Sequence, residues 1–204
     1  MRIMESALAA RLAAAPEEGI APVHFVWIVA KDRASGTPSP MGIWSGDEDL
    51  TVTVALPDGT TASRAYLGGL GLEVEGLQYV ADLTDNPVTV TLSQIAPAAQ
   101  ALVRGLDVRL APVEVHATTM TGGALTSAPQ LQWVGIVDEG PISTPAAGGA
   151  GGIALSIRSE IMTQLGQVNP AKSSDVHQKR RAAGDRFSEY AAVIGERKMQ
   201  WYKR

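Results

Sequence analysis

Residues 23–30, VHFVWIVA, constrain this chain more than any other stretch. Valine, isoleucine, phenylalanine and tryptophan stand at odd and even positions alike, so both faces of a strand built from them are apolar. Such β-branched and aromatic side chains fit a pleated strand and are restricted in a helix. A strand that is apolar on two sides must be covered on two sides. The run therefore predicts a central strand, and 204 residues at 45% apolar content are enough to cover it from one main core.

The segments around it supply partners. Residues 31–40 hold Ser, Gly, Thr and two prolines and read as a hairpin tip returning through Met41 to Trp44. Thr51, Val52, Thr53 and Val54 alternate, and Pro57-Asp58-Gly59-Thr60 is a turn in which proline presets φ and glycine takes the positive φ, so residues 50–56 should pair with 61–66. Residues 72–77 and 88–92 alternate again, as do 107–119, and 131–137 form a further strand around Trp133 and Val134. Ser6 to Ala15 read as a short helix ending at Pro16. A second helix is expected over 93–103, with Pro97 in its first turn and Ile95, Ala99, Leu102 and Val103 on one stripe.

Residues 143–152, STPAAGGAGG, are the one low-complexity segment and read as a linker. The expected organisation is a β-rich domain over 1–142, the linker over 143–152, and a C-terminal arm over 153–204. That arm begins with a strand-like 153–157 and ends in a basic helix carrying Phe187, Tyr190, Ala191 and Ile194. The fold class is mainly β with short helices (α+β): a β-sandwich or barrel with an N-terminal helix and a C-terminal basic helical arm.

Charge divides along the same line. Residues 172–204 carry nine Lys/Arg against four Asp/Glu, a local +5, which leaves −9 on the other 171 residues of a chain whose formal charge is −4. Such asymmetry suits the end of one subunit docking on the body of another, or simply a solvated helix. No stretch approaches the roughly 20 apolar residues of a membrane span, and Glu5 and Arg11 interrupt the first apolar run where a secretory signal would need continuity.

Sites for chemistry are sparse. The chain has no cysteine, so disulfides, thiolate metal sites and thiol nucleophiles are excluded. His24, His116 and His177, read as lying in a strand, a strand and a loop, have no second ligand at metal spacing. Asp47-Glu48-Asp49 lacks the spaced ligands of a calcium loop, Glu73 and Glu75 merely share a strand face, and the glycine runs have neither dinucleotide nor P-loop spacing. There is no GxSxG elbow. The expectation is a protein that is not an enzyme and holds no cofactor, metal or small-molecule substrate.

Lys179, Arg180, Arg181 and Arg186, interleaved with Phe187, Tyr190 and Trp201, suit base stacking and phosphate neutralisation in principle. Four acids dilute that patch, so nucleic acid is the weaker reading. A protein interface, where arginine and aromatic residues act as anchors, is the favoured use of this stretch, with Asp185 beside it.

Three segments together carry a resemblance: ALAARLAA near the start, GLEVEGLQYVADLTDNPVTVTLSQIAPAAQALVRGLDVRLAPVEVHATTM in the middle, and SSDVHQKRRAAGDRFSEYAAVIGERKMQWYKR at the end. They resemble tail-tip (hub, distal tail or baseplate) structural proteins of long-tailed phages, prophages and gene transfer agents. The leading helix followed by a strand with Trp27 and then Asp47-Glu48-Asp49-Leu50 is similar to the hub proteins. So is a strand opening Gly-Leu, a helix ending in glycine, and a strand with Asp107-Val108-Arg109. The ending resembles a tail pattern in Ser174, Asp175, Gln178, Arg181, Gly184, Asp185 and Tyr190, although many such proteins close on Trp-Gly and this chain closes on Trp201-Tyr202-Lys203-Arg204.

The resemblance implies a virion component made in the bacterial cytoplasm, forming a trimeric or hexameric ring at the tail tip. Its partners would be copies of itself and other tail proteins: the tail tube, tape measure, hub and receptor-binding parts. Proteins of this sort can hold an iron–sulfur cluster through C-terminal cysteines, which do not occur here. The alternatives are a phage-associated cell-wall hydrolase, for which no catalytic pair is evident, and a nucleic-acid-binding module.

Overall fold

A computed structural model describes residues 4–78, 84, 86–140, 142–143, 151–161, 174–191 and 193–196. The chain divides into two compact units, Met1–Leu165 and Gly166–Arg204.

The first unit is mainly β. The strand expected to be central, β1 (Pro22–Asp32), stands second from one end of the sheet, pairing antiparallel with the end strand β2 (Pro38–Trp44) and with β8 (Pro112–Thr121). The two-sided apolar run accordingly serves two separate cores. Val26, Ile28 and Ala30 face one and are fully buried, whereas Val23 and Phe25 face another.

The sheet continues from β8 through β10 (Gln130–Glu139) and β12 (Gly152–Ser159) to β6 (Val88–Ser93) and the short β5 (Glu73–Glu75). It is curled, and one stretch of chain bonds both to its end strand β2 and to β6, next to its other end. Leu67 exchanges bonds with β2, its N–H donating to Gly42 O (2.9 Å) and its carbonyl accepting from Trp44 N (3.1 Å), while Leu70 O accepts from Ser93 N of β6 (2.8 Å). Bonds of this kind satisfy part of the β2 edge, which would otherwise be open to pairing with other chains. Inside the curl lie Ile43, Leu70, Val88, Val90, Leu92, Val113, Val115, Val137, Ile153, Leu155 and Ile157, an aliphatic core without aromatic residues among its buried members.

The segment expected as one helix over 93–103 is shorter. Ser93 still belongs to β6; one helical turn, α2 (Pro97–Gln100), runs into a π turn over Ala101–Gly105, and Ala99, Leu102 and Val103 insert into the aliphatic core. Ile95, predicted on that buried stripe, is 83% exposed. The strand expected over 107–119 is also interrupted. After β7 (Leu106–Asp107) the chain turns through Leu110 at φ 57°, and β8 starts at Pro112, where a missing N–H costs no ladder bond.

A separate hairpin, β3 (Leu50–Ala55) and β4 (Thr61–Tyr66), pairs the two segments expected to pair, with Leu50 opposite Tyr66 and Ala55 opposite Thr61. Its turn is held by Leu56 N donating to Thr60 O (2.8 Å), Gly59 at φ 85°, and the Asp58 carboxylate accepting from the Thr60 N–H (2.9 Å) and hydroxyl (2.7 Å). Those two bonds hold the Asp58 carboxyl below its usual range. The hairpin packs Val52, Val54 and Tyr66 against Phe25, Trp27 and Trp44 on the outer face of the sheet. Gly42 permits the close crossing: a Cβ there would run into Ala65 O and lie 2.9 Å from the Trp27 ring.

The boundary between body and arm is corrected. Residues 153–157, expected to open the arm, form β12 in the interior of the sheet, with Leu155 opposite Val90 on β6 and Ile157 opposite Val137 on β10. Flanking the low-complexity segment, Ile142 pairs with Ile153 and Ser143 with Gly152, so that segment joins two paired strands of one sheet; residues 144–150 lie outside the described residues. A stretch that joins paired strands and a linker between domains can have the same composition.

At the N-terminus α1 (Ser6–Glu18) runs past Pro16 to Gly19, whose N–H donates to Ala15 O. The Glu5 carboxylate caps it by accepting from Ala7 and Leu8 N–H, which lowers the Glu5 carboxyl. Among its residues Leu8 is buried and the rest are open to solvent to varying degrees. Among the described residues no helix is long and apolar enough to cross a membrane.

Candidate functional site

The residues expected to form an interface lie in the second unit. The helix there spans Asp175–Arg181 and is capped by Ser174, whose hydroxyl accepts from His177 N; His177, expected in a loop, is therefore helical. Lys179, Arg180 and Arg181 fill the last turn, where cations complement the helix dipole. The expected basic helix stops there: Ala182 is extended, and Phe187 and Tyr190 fall in turns. Gly184 and Asp185 explain the break, since glycine is costly inside a helix and the Asp185 carboxylate accepts from Phe187 N (3.0 Å), a local bond that competes with helix.

Much of the charge in this unit is internally paired. Lys179 meets Asp175 at 2.8 Å, Arg186 is bidentate to Glu189 at 2.8 and 2.9 Å, and Arg181 lies 3.8 Å from Asp185. The pairing with Glu189 raises the already basic Arg186 guanidinium further. The apolar groups are not paired: Phe187 is 90% exposed, and Val176, Tyr190 and Val193 are also open. Among the unit's described side chains Ser188 is the buried one. Trp201 lies outside the described residues.

A second place, which sequence reasoning missed, is the polar cluster under the β3–β4 hairpin. Arg64 on β4 grips Glu114 on β8 with two bonds (2.6 and 3.3 Å), and its guanidinium stacks 4.5 Å over the Trp27 ring. His116, two residues along β8 on the same face, donates from Nε2 to Ala55 O at 2.8 Å. A carbonyl only accepts, so the Nε2–H tautomer is the one that satisfies this bond. His116 exposes nothing, its Nδ1 is buried without a partner, and its Nε2 is 3.8 Å from the Glu114 carboxylate.

Burial lowers the His116 imidazole, outweighing the bond to Ala55 and the attraction of Glu114. Burial likewise depresses His24. For Arg64, burial pulls the guanidinium down, but pairing with Glu114 more than offsets it; Tyr66 is pushed up by burial. This cluster ties two layers together from beneath. Its signal in the sequence was Glu114 and His116 at a two-residue spacing, opposite in face to Val113 and Val115, and it was overlooked because neither resembles a ligand or a catalytic pair.

A third place is a cavity of about 500 Å³ beside the end of β2. Trp44, Leu50, Met120 and Leu125 line it, and Asp47, Glu48 and Asp49 stand on its rim. The loop carrying these acids is tied down by Trp44 Nε1 donating to Glu48 O (2.7 Å) and Gly68 N donating to the Asp49 carboxylate (3.1 Å), while the Asp47 and Glu48 side chains are exposed. Among the described residues no group of three or more His, Asp or Glu side chains is arranged to hold a metal ion.

Comparison with known proteins finds no family model that matches the chain and no match among curated proteins.

Proposed function

We propose that this chain is a structural component of a phage-type tail tip, a hub or distal-tail ring subunit that links the tail tube to host-recognition parts and works through its assembly interfaces. On this reading the curled sheet is the tail-tip barrel, the protein is made in the bacterial cytoplasm and resides in the virion, and its partners are its own copies and neighbouring tail proteins.

The observation that carries the reading is the second unit. A segment whose described residues leave Phe187, Tyr190, Val176 and Val193 in solvent gains little from folding alone, and ordering it costs about 1–2 kcal/mol per residue in backbone entropy. Burial against another molecule supplies the missing term, which is how extended arms hold assemblies together. The motif resemblance over the same residues, from Ser174 to Tyr190, points to the same use.

Negative-stain imaging and light scattering of the purified full chain test this. Rings, or a concentration-dependent rise in mass, are expected. A chain that stays monomeric at high concentration and degrades peptidoglycan overturns the proposal in favour of a hydrolase.

A further inference from the structure

The cavity beside Trp44 has an apolar floor and a one-sign rim. Its volume of about 500 Å³ falls in the range of roughly 300–1,000 Å³ typical of binding pockets. No Lys or Arg lines it, and three consecutive carboxylates do. The occupant it suits is therefore an aromatic or aliphatic anchor with a cation beside it.

The same chain carries such a group. Phe187 is 90% exposed, and Arg186 beside it keeps most of its side chain in solvent even while paired with Glu189. Charge complementarity extends beyond the contact, because the unit holding Phe187 is +5 and the unit holding the pocket is −9. Opposite net charges steer encounter, and a desolvated aromatic anchor supplies affinity.

We infer that the acid-rimmed pocket of one copy receives the Arg186–Phe187 corner of a second copy, with Phe187 on the Trp44–Leu50–Met120–Leu125 floor and Arg186 facing Asp47 and Glu48. The inference rests on the assembly reading above and adds to it the surface used. Each copy then offers one pocket and one corner, so the contact is head-to-tail, and such contacts generate rings wherever the rotation closes.

The test is sedimentation velocity on the full chain and on three full-length variants. Phe187→Ala and the double variant Asp47→Arg/Glu48→Arg should each weaken self-association roughly 30-fold or more, as expected for a hot spot. Asp49 is left intact because it holds Gly68. Adding Arg186→Glu to the Asp47→Arg/Glu48→Arg background should restore association. An equimolar mixture of Phe187→Ala with Asp47→Arg/Glu48→Arg should give a species of two chains and none larger, since one intact pocket meets one intact corner.

Wild-type-like association of Asp47→Arg/Glu48→Arg, with its circular dichroism unchanged, overturns the pocket while leaving the assembly reading in place. Loss of fold in that variant throws the decision to Phe187→Ala, whose undiminished association overturns the inference. A monomeric wild type overturns both the inference and the reading beneath it.

Discussion

The unit Met1–Leu165 and the unit Gly166–Arg204 divide apolar side chains in opposite ways. In the first, valine, leucine and isoleucine from β1, β2, β6, β8, β10 and β12 converge on one interior, and the aromatic residues Phe25, Trp44 and Tyr66 form a second core under the hairpin, with Phe25 and Trp44 stacked at 5.4 Å and Phe25 and Tyr66 edge-on at 5.1 Å. In the second, among the described residues, Phe187 and Tyr190 face solvent, Ser188 is the buried side chain, and Lys179 and Arg186 pair with acids three or four positions away. Exposed pairs of that kind contribute about 0–1 kcal/mol each, so on the assembly reading proposed above the first unit supplies stability and the described part of the second supplies contacts. Stability should therefore track substitutions in one unit and assembly those in the other.

The sharpest way to break this contrast is in the aliphatic core. Leu155 is fully buried in an interior strand of the sheet, between β10 and β6, and Leu155→Ala should lower the unfolding free energy by about 3 kcal/mol, the usual scale for a cavity of that size; urea denaturation followed by circular dichroism reads it. A loss below about 1 kcal/mol would mean that the curled sheet is not the seat of stability.

Next comes the ion pair beneath the hairpin. With 12% and 18% of the Arg64 and Glu114 side chains exposed, Arg64→Ala leaves a half-buried carboxylate and also removes the contact over Trp27. The expected cost is about 2 kcal/mol, with a blue-shifted or intensified tryptophan emission change as the local signature. An unchanged midpoint would show the hairpin to be held by its aromatic contacts alone.

A smaller effect is expected from pH. Because burial depresses His116 in the folded chain below its ordinary value of 6.5, the unfolded chain takes up the proton first as pH falls. The stability contributed by the neutral imidazole is thus complete above pH 6.5 and declines as pH drops from there through the depressed folded value, by at most about 1.4 kcal/mol per pH unit. His24 shifts in the same direction and adds to the slope. His116→Gln, which can still donate to Ala55 O, should flatten the profile between pH 6.5 and 5; an identical slope would move the effect to His24.

The smallest change in stability should follow removal of residues 172–204, within about 0.5 kcal/mol for the first unit, while assembly is lost. Melting curves and light scattering on the same sample report both. A collapse of the β signal would show that the arm is part of the body's core.

Much of the body was legible from local pattern. Residues 23–30 announced a strand with two covers because apolar groups on both faces leave no solvent side, and Pro57-Asp58-Gly59-Thr60 announced its hairpin because each residue type suits one turn position. Residue type alone set the stretch from Lys179 to Tyr190 apart as basic and aromatic, but not the end of its helix at Arg181 or the turns that follow. Illegible were the interruptions: Leu110 at positive φ and the π turn at Ala101–Gly105 arise from fitting the chain around the core, and neither has a residue signature.

The amino-acid order by itself therefore determined the strands, the turns and the separation of charge between the two ends, since those depend on neighbours a few residues apart. Only the tertiary structure decided that β12 belongs inside the sheet, that the curl is tied off through Leu67 and Leu70, and that Arg64 meets Glu114 and Trp44 meets an acid-rimmed hollow. Those are contacts between residues far apart in the chain, 50 positions in the case of Arg64 and Glu114. Such pairings are chosen by which faces remain to be buried once the local elements exist, and that is a property of the whole chain.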